Sequence, residues 1–263
     1  MEDVLDTYEV LIVGGGVAGL TAGVYTGRAS LDTLIVNAGE PIVTRNAHLE
    51  NVPGFPAGVN PRLFLDMLRS QATRTGVDRR GGRVVTLERD HADGGERFVA
   101  TVEREEADAT TGSGSEVPDP DRYRVAAERV IAASWSDADY LDPLDVKIRD
   151  ADSKRYVDDD GLGRTNVGGV YAAGRLSERY HQAAIAAGHG AEVATTVIHD
   201  SSVPFYRRNR PSASGRTEIE DFRDDENLRF SNHLTPRRFT TTGSFPRATS
   251  PIAAGTFRRD ARS

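Results

Sequence analysis

Residues 8–19 read Tyr8-Glu-Val-Leu-Ile-Val-Gly-Gly-Gly-Val-Ala-Gly19, and this stretch decides the fold. Tyr8 to Val13 is an apolar run of strand length stopped by three glycines. Val17 to Ala29 then carries apolar residues at helical spacing (Val17, Leu20, Val24), and Thr33 to Val36 reads as a second buried strand. Strand, helix and strand in succession form a βαβ unit with a parallel pair. Gly14, Gly15, Gly16, Val17, Ala18 and Gly19 fit G-x-G-x-x-G at the strand-to-helix turn. Gly14 permits the tight turn, Gly16 lets the backbone approach a pyrophosphate, and Gly19 lets the helix pack closely on the sheet. A pyrophosphate there meets free N–H groups at the positive end of the helix dipole. The motif admits any dinucleotide. The ribose-binding acid expected about 20 residues further on is missing, since Asn37 follows Val36 and Glu40 lies past the strand end.

Working outward, residues 41–60 are irregular, and Pro61 opens a helix whose apolar face is Leu63, Phe64, Met67 and Leu68. Val84–Glu88 and Arg97–Val102 alternate as strands joined through residues 93–95. Residues 107–120 form a loop rich in Gly, Ser, Pro and acids, and β character resumes at Tyr123–Val125 and Arg129–Ala133. Gly168–Gly174 is a short apolar strand ending on glycine, followed by an Ala-rich helix from His181 to Ile198. Beyond residue 200 the apolar periodicity stops, and 205–263 is expected to be largely disordered.

Composition bounds the chemistry. The sequence contains no cysteine, which excludes thiolate ligands and a redox-active dithiol, so redox work requires a bound cofactor. Only Lys147 and Lys154 are lysines, and the remaining basic residues are arginine. The net charge of −7 divides into −12 over residues 1–200 and +5 over 201–263, which marks a boundary near residue 200. An acidic, lysine-poor chain suits a salt-rich cytoplasm, so a halophilic source and a cytoplasmic location are expected. No run reaches the roughly 18 apolar residues of a membrane span, and the N-terminus lacks a signal-peptide pattern. The tail arginines lack interleaved aromatics, so no nucleic-acid partner is expected.

Three segments in order, Val24–Ser30, Leu49–Pro56 and Asn166–Gly174 followed by Gln182, resemble the FAD domain of thioredoxin reductases. The likeness covers about 1–135 and 160–198, the two halves of that domain. It implies an α/β fold: a single FAD-binding Rossmann-like domain over 1–200, with a parallel sheet, helices and a small β-meander; the charge division adds a basic tail at 201–263. The likeness implies that Gly14–Gly19 hold the FAD pyrophosphate and that Asn37 lies near the adenosine ribose. Asn51 would approach the flavin, and the Val85 backbone would meet adenine. Ser134 would stand at the FAD contact after the central strand, and Gly174, Gln182 and Ala183 would face the ribityl chain and the pyrimidine edge.

The chain also departs from that family. Only residues 136–167 join the two halves, too few for the NADPH domain inserted there in thioredoxin reductases, since a domain needs at least about 50 residues. The Cys-x-x-Cys pair is absent. The family's Ala-Thr-Gly reads Ala133-Ser134-Trp135, and its Ala-Gly-Asp reads Ala173-Gly174-Arg175, so Arg175 reverses a charge beside the pyrophosphate. Trp135 fits either a ligand stack or a packing anchor, and His181 either a flavin neighbour or a helix-start residue. No catalytic residue and no metal site stand out.

The expected function is an FAD-dependent oxidoreductase without thiol–disulfide chemistry. Its electron donor would come from outside, as a small molecule or a protein such as ferredoxin, and a homodimer is compatible with the sequence. The alternatives are a non-catalytic flavin-binding protein and an NAD(P)-dependent dehydrogenase using Gly14–Gly19 directly.

Overall fold

The computed structural model describes residues 4–91, 96–104, 122–151 and 154–201. The expectations for the 93–95 turn, the 107–120 loop and the tail past 201 fall outside the described residues. Strand β1 (Val4–Val13) leads through the glycines into α1 (Val17–Arg28), then β2 (Thr33–Asn37). Helix α2 (Pro61–Arg74) starts where Pro61 was read as its first residue. The Asn60 side chain caps it, accepting from the N–H groups of Arg62 (2.9 Å) and Leu63 (3.3 Å). Strands β3 (Asp78–Gly81), β4 (Arg83–Asp90), β5 (Arg97–Glu103) and β6 (Arg122–Ala132) follow. After a hairpin of β7 (Ile148–Ala151) and β8 (Lys154–Val157) come β9 (Val170–Ala172) and α3 (Ala183–Asp200).

Seven strands form one sheet in the order β3-β2-β1-β6-β5-β4, with β9 also on β6. Strand β6 is the branch point. Along one edge it runs parallel to β1. On the other edge its first half pairs antiparallel with β5, and Val130–Ala132 pair parallel with β9. One strand therefore belongs to both the parallel layer and the β4-β5-β6 meander.

Period-two alternation explains the two-sided core. Val10, Ile12, Ile35, Ile131 and Tyr171 pack toward the helices, against Leu20, Val24, Leu65, Val193 and Val197. Leu11, Val13, Leu34, Val36 and Val130 point to the opposite side, where Leu87, Val102, Leu141, Leu144, Val157 and Leu176 cover them. Both faces of the parallel strands are buried, which is why they read as unbroken apolar runs.

Three features differ from the sequence reading. The stretches read at 123–125 and 129–133 fall on one strand that ends at Ala132, because Ala126 and Ala127 are fully buried and paired with β5. Polar Asp78-Arg-Arg-Gly81 is an edge strand beside β2, where a parallel partner overrides weak β-propensity. Residues 136–167 are more than a connector. A 3₁₀ turn (Asp139–Leu144) lays Leu141 and Leu144 on the sheet, and the β7–β8 hairpin adds Val157.

Candidate functional site

The parallel strands β1, β2, β6 and β9 all end on the side where a cavity of about 760 Å³ opens. Doubly wound sheets place their ligand sites beyond the carboxyl ends of their strands, and the volume lies within the usual range for small-molecule sites. Eleven of the residues expected at a cofactor site line it: Gly14, Gly16, Val17, Ala18, Asn37, Asn51, Ser134, Gly174, Arg175, Gln182 and Ala183.

Gly14 takes a φ of +115°, and a Cβ there would lie 2.4 Å from the Ala133 carbonyl oxygen. Only glycine fits that turn. A Cβ on Gly16 would meet nothing within 4 Å, so the backbone there faces open space. Gly19 does not line the cavity; a Cβ there would stand 1.9 Å from the Gly14 carbonyl oxygen, so it sets how closely α1 follows the turn. Gly15 is also outside the lining, and its N–H donates to Asn37 Oδ1 at 2.7 Å. Asn37 Nδ2 in turn donates to the Gly39 carbonyl at 2.7 Å, so its side chain braces the loop on both sides.

Two helices aim their N-termini at the cavity. Neither α1 nor α3 carries a side-chain cap or an acid in its first turn. Uncapped N–H groups and two positive dipole ends suit a ligand with negative charge. At the start of α3, Gln182 Oε1 accepts from Asn51 Nδ2 at 2.6 Å. That contact joins the two halves of the sequence across the cavity.

The opposite end is formed by Gly82, Arg83 and Val84, and Arg83 pairs with Asp137 at 3.0 Å. Val85, the next residue along β4, is half-buried and outside the lining. Ser134 lines the cavity but its hydroxyl is committed. It donates to the Asp137 carbonyl (2.5 Å), so the 2.9 Å contact with Tyr140 is donated by the tyrosine. Burial pushes the Tyr140 phenol well above its ordinary range, which keeps it a donor.

Trp135 and His181 meet on the cavity wall, with ring centroids 4.3 Å apart and planes at 67°. Trp135 has a φ of +67°, the left-handed region that bulky residues avoid. Burial, then the nearby charges of Arg175 and Lys154, hold His181 below the ordinary histidine range. Arg175 Nη2 donates to the Tyr156 hydroxyl (2.5 Å) and Nη1 to the Arg179 carbonyl (3.2 Å), with the guanidinium 5.0 Å over the Tyr156 ring. It has no carboxylate partner among the described residues. Sequence reasoning gave His189 no role, and the structure bonds it to Gly174 from behind the cavity; its spacing from His181 and His199 along the chain carries no sign of that distant partner.

No protein-family model matches the chain. A thioredoxin reductase from Listeria monocytogenes is 42% identical over 73 residues, 27% of this chain and 23% of the relative. One from Bacillus subtilis is 45% identical over 58 residues, 21% and 18% of the two chains. The aligned segments thus span about a quarter or less of those relatives. Among solved structures, an oxidoreductase from Agrobacterium tumefaciens matches with a TM-score of 0.59 at 14% identity, over 74% of this chain and 98% of that one. An atypical thioredoxin reductase from Desulfovibrio vulgaris Hildenborough gives 0.53 at 20% identity, over 73% and 97%. The chain thus has the fold of thioredoxin reductase-like oxidoreductase structures. Within that fold, segments of 58–73 residues are similar to thioredoxin reductases, and the sequence contains no cysteine.

Proposed function

We propose that the protein is an FAD-dependent oxidoreductase working without thiol–disulfide exchange. The observation that carries this reading is one cavity onto which two uncapped helix N-termini open, with the glycine turn leading into the first. The residues fit the group. The open approach at Gly16 and the first turn of α1 would hold the pyrophosphate. The wall at Gly82–Val84 would hold the adenosine end, and Asn51, Gln182 and Ala183 the flavin end. Bound FAD supplies the hydride and electron transfer that side chains lack.

The chain's own residues bind, orient and tune. The Asn51–Gln182 bond ties the two sequence halves together at the cavity rim. The start of α3 favours negative charge beside Gln182 and Ala183. Trp135 and His181 wall the cavity with ring surface that excludes water. With no cysteine, electrons must arrive from and leave to an outside partner: a small molecule or a carrier protein such as ferredoxin.

The test is the visible spectrum of the protein purified in high salt, followed by chromatography of the released cofactor. An oxidised-flavin spectrum and released FAD are expected; released NAD(H) in its place overturns the reading. Flavin binding without turnover is a second reading, favoured by Trp135 and Arg175 standing where the family has glycine and aspartate. It would show as bound flavin that no donor reduces.

A further inference from the structure

Strand β9 ends at Ala172, and the Ala173 N–H still donates to the Ala132 carbonyl (2.8 Å). At Gly174 the chain turns out of the sheet with a φ of +69°, so its N–H has left the strand ladder. His189, from the middle of α3, supplies the acceptor. The Gly174 N–H donates to His189 Nδ1 at 2.9 Å in a buried bond. A ring nitrogen that accepts carries no proton, so the neutral ring holds its proton on Nε2. That Nε2 is buried with no protein partner among the described residues. Packing alone gives no reason to bury an imidazole there, because an unpaired buried donor is destabilising. The bond to Gly174 gives one.

The surroundings are tight. A Cβ on Gly174 would lie 2.8 Å from the Ala18 Cβ, and one on Gly190 would lie 2.2 Å from the Ala18 carbonyl oxygen. The first turn of α1, the end of β9 and the middle of α3 therefore meet at one point, and Ala18 and Gly174 both line the cavity.

We infer that His189 is a positioning residue for the cofactor cradle: its unprotonated Nδ1 holds Gly174 in the left-handed turn, against the first turn of α1. This rests on the cofactor site proposed above. Burial and the Arg179 charge keep the ring neutral, against the smaller opposing pull of Asp159 and Glu192. Protonation would set one donor against another.

The experiment compares His189→Asn, whose Oδ1 can stand in for the imidazole Nδ1, with His189→Leu, which fills space but accepts nothing. FAD affinity and hydrogen-exchange protection of the Gly174 amide are measured in each. His189→Asn is expected to bind FAD within about threefold of the parent and keep the protection. His189→Leu is expected to bind about tenfold or more weakly and lose it. A packing role alone gives the reverse order, with leucine equal to or better than asparagine, and that order overturns the inference. So does parental affinity and protection in both variants. If the parent itself binds no FAD, the cofactor reading fails, while Gly174 protection still decides the role of His189. If His189→Leu does not fold, the ¹⁵N shifts of the parent imidazole decide: a proton on Nδ1 at neutral pH overturns it.

Discussion

Asn37 stands where nucleotide folds often carry an acid, and its amide does something a carboxylate cannot. It accepts from Gly15 and donates to the Gly39 carbonyl, so it braces the glycine turn from both sides. An aspartate could accept from Gly15 but would set its charge against the Gly39 oxygen. Asn37→Leu removes both bonds, leaves the Gly15 N–H without its acceptor, and is expected to cost about 0.5–1.5 kcal/mol in urea unfolding, together with weaker FAD binding. Unchanged unfolding and affinity would show that the turn holds without the amide. Trp135 is the sole tryptophan, and its left-handed backbone costs about 1–2 kcal/mol relative to an ordinary conformation. The cavity geometry compensates by seating its ring on His181. Because that ring lines the cavity, FAD titrated into flavin-free protein is expected to quench tryptophan emission in proportion to the flavin bound. Steady emission while FAD is retained on filtration would place the ligand elsewhere. Arg175 shows how far a charge swap can be absorbed, since the guanidinium turns to Tyr156 and leaves its positive charge on the wall without an ion partner among the described residues.

Elements are placed here by close backbone contact as much as by apolar pairing. Helix α3 crosses the start of α1 at Gly190, where a methyl group would meet the Ala18 carbonyl oxygen at 2.2 Å. The neighbour is main chain and cannot rotate away. Gly190→Ala is therefore expected to cost about 1–3 kcal/mol in chemical denaturation and to weaken FAD binding, by lifting α3 from the cradle. Unaltered stability would mean that α3 can shift without loss. The β7–β8 hairpin is held differently. It touches the 174–178 turn through the Arg175–Tyr156 and Arg149–Glu178 contacts, and it buries Val157 under the sheet. Its short polar strands (Ile148–Ala151 and Lys154–Val157) carry no apolar alternation, so only the neighbouring turn and sheet face reveal them as an element. The same holds for β3, whose partner β2 supplies the pairing that its own residues do not announce.

For the whole molecule, acid sensitivity follows from groups whose proton affinities folding changes. His181 and His189 are both held below the ordinary histidine range, mainly by burial. The unfolded chain then takes up these protons first, so their stabilising effect is complete above about pH 6.5 and lost as pH falls below it. Asp200 and Glu178 are held low chiefly by hydrogen bonds from Arg164 and Arg149, and Asp160 by its bonds to Leu162 and Arg164, so their contribution is lost only in a more acid range. Melting temperature is expected to be level above neutrality and to decline in a first step as pH falls below about 6.5. A level profile through that step, or a decline confined to the carboxylate range, would contradict the assignment to the histidines. Much of this was legible in the residues themselves. Local rules suffice for the apolar runs of β1 and β2, the glycine spacing at 14–19, and the Asn60–Pro61 helix start, because each depends on neighbours a few positions away. The sequence by itself thus determined the βαβ unit, the glycine turn and the absence of cysteine from these residues. Only the tertiary structure decided that Asn51 meets Gln182 across 131 positions, that Arg175 turns to Tyr156, and that His189 stands behind Gly174. Those contacts join segments that sheet order alone brings together, and no periodicity along the chain records which distant side chains will share a wall.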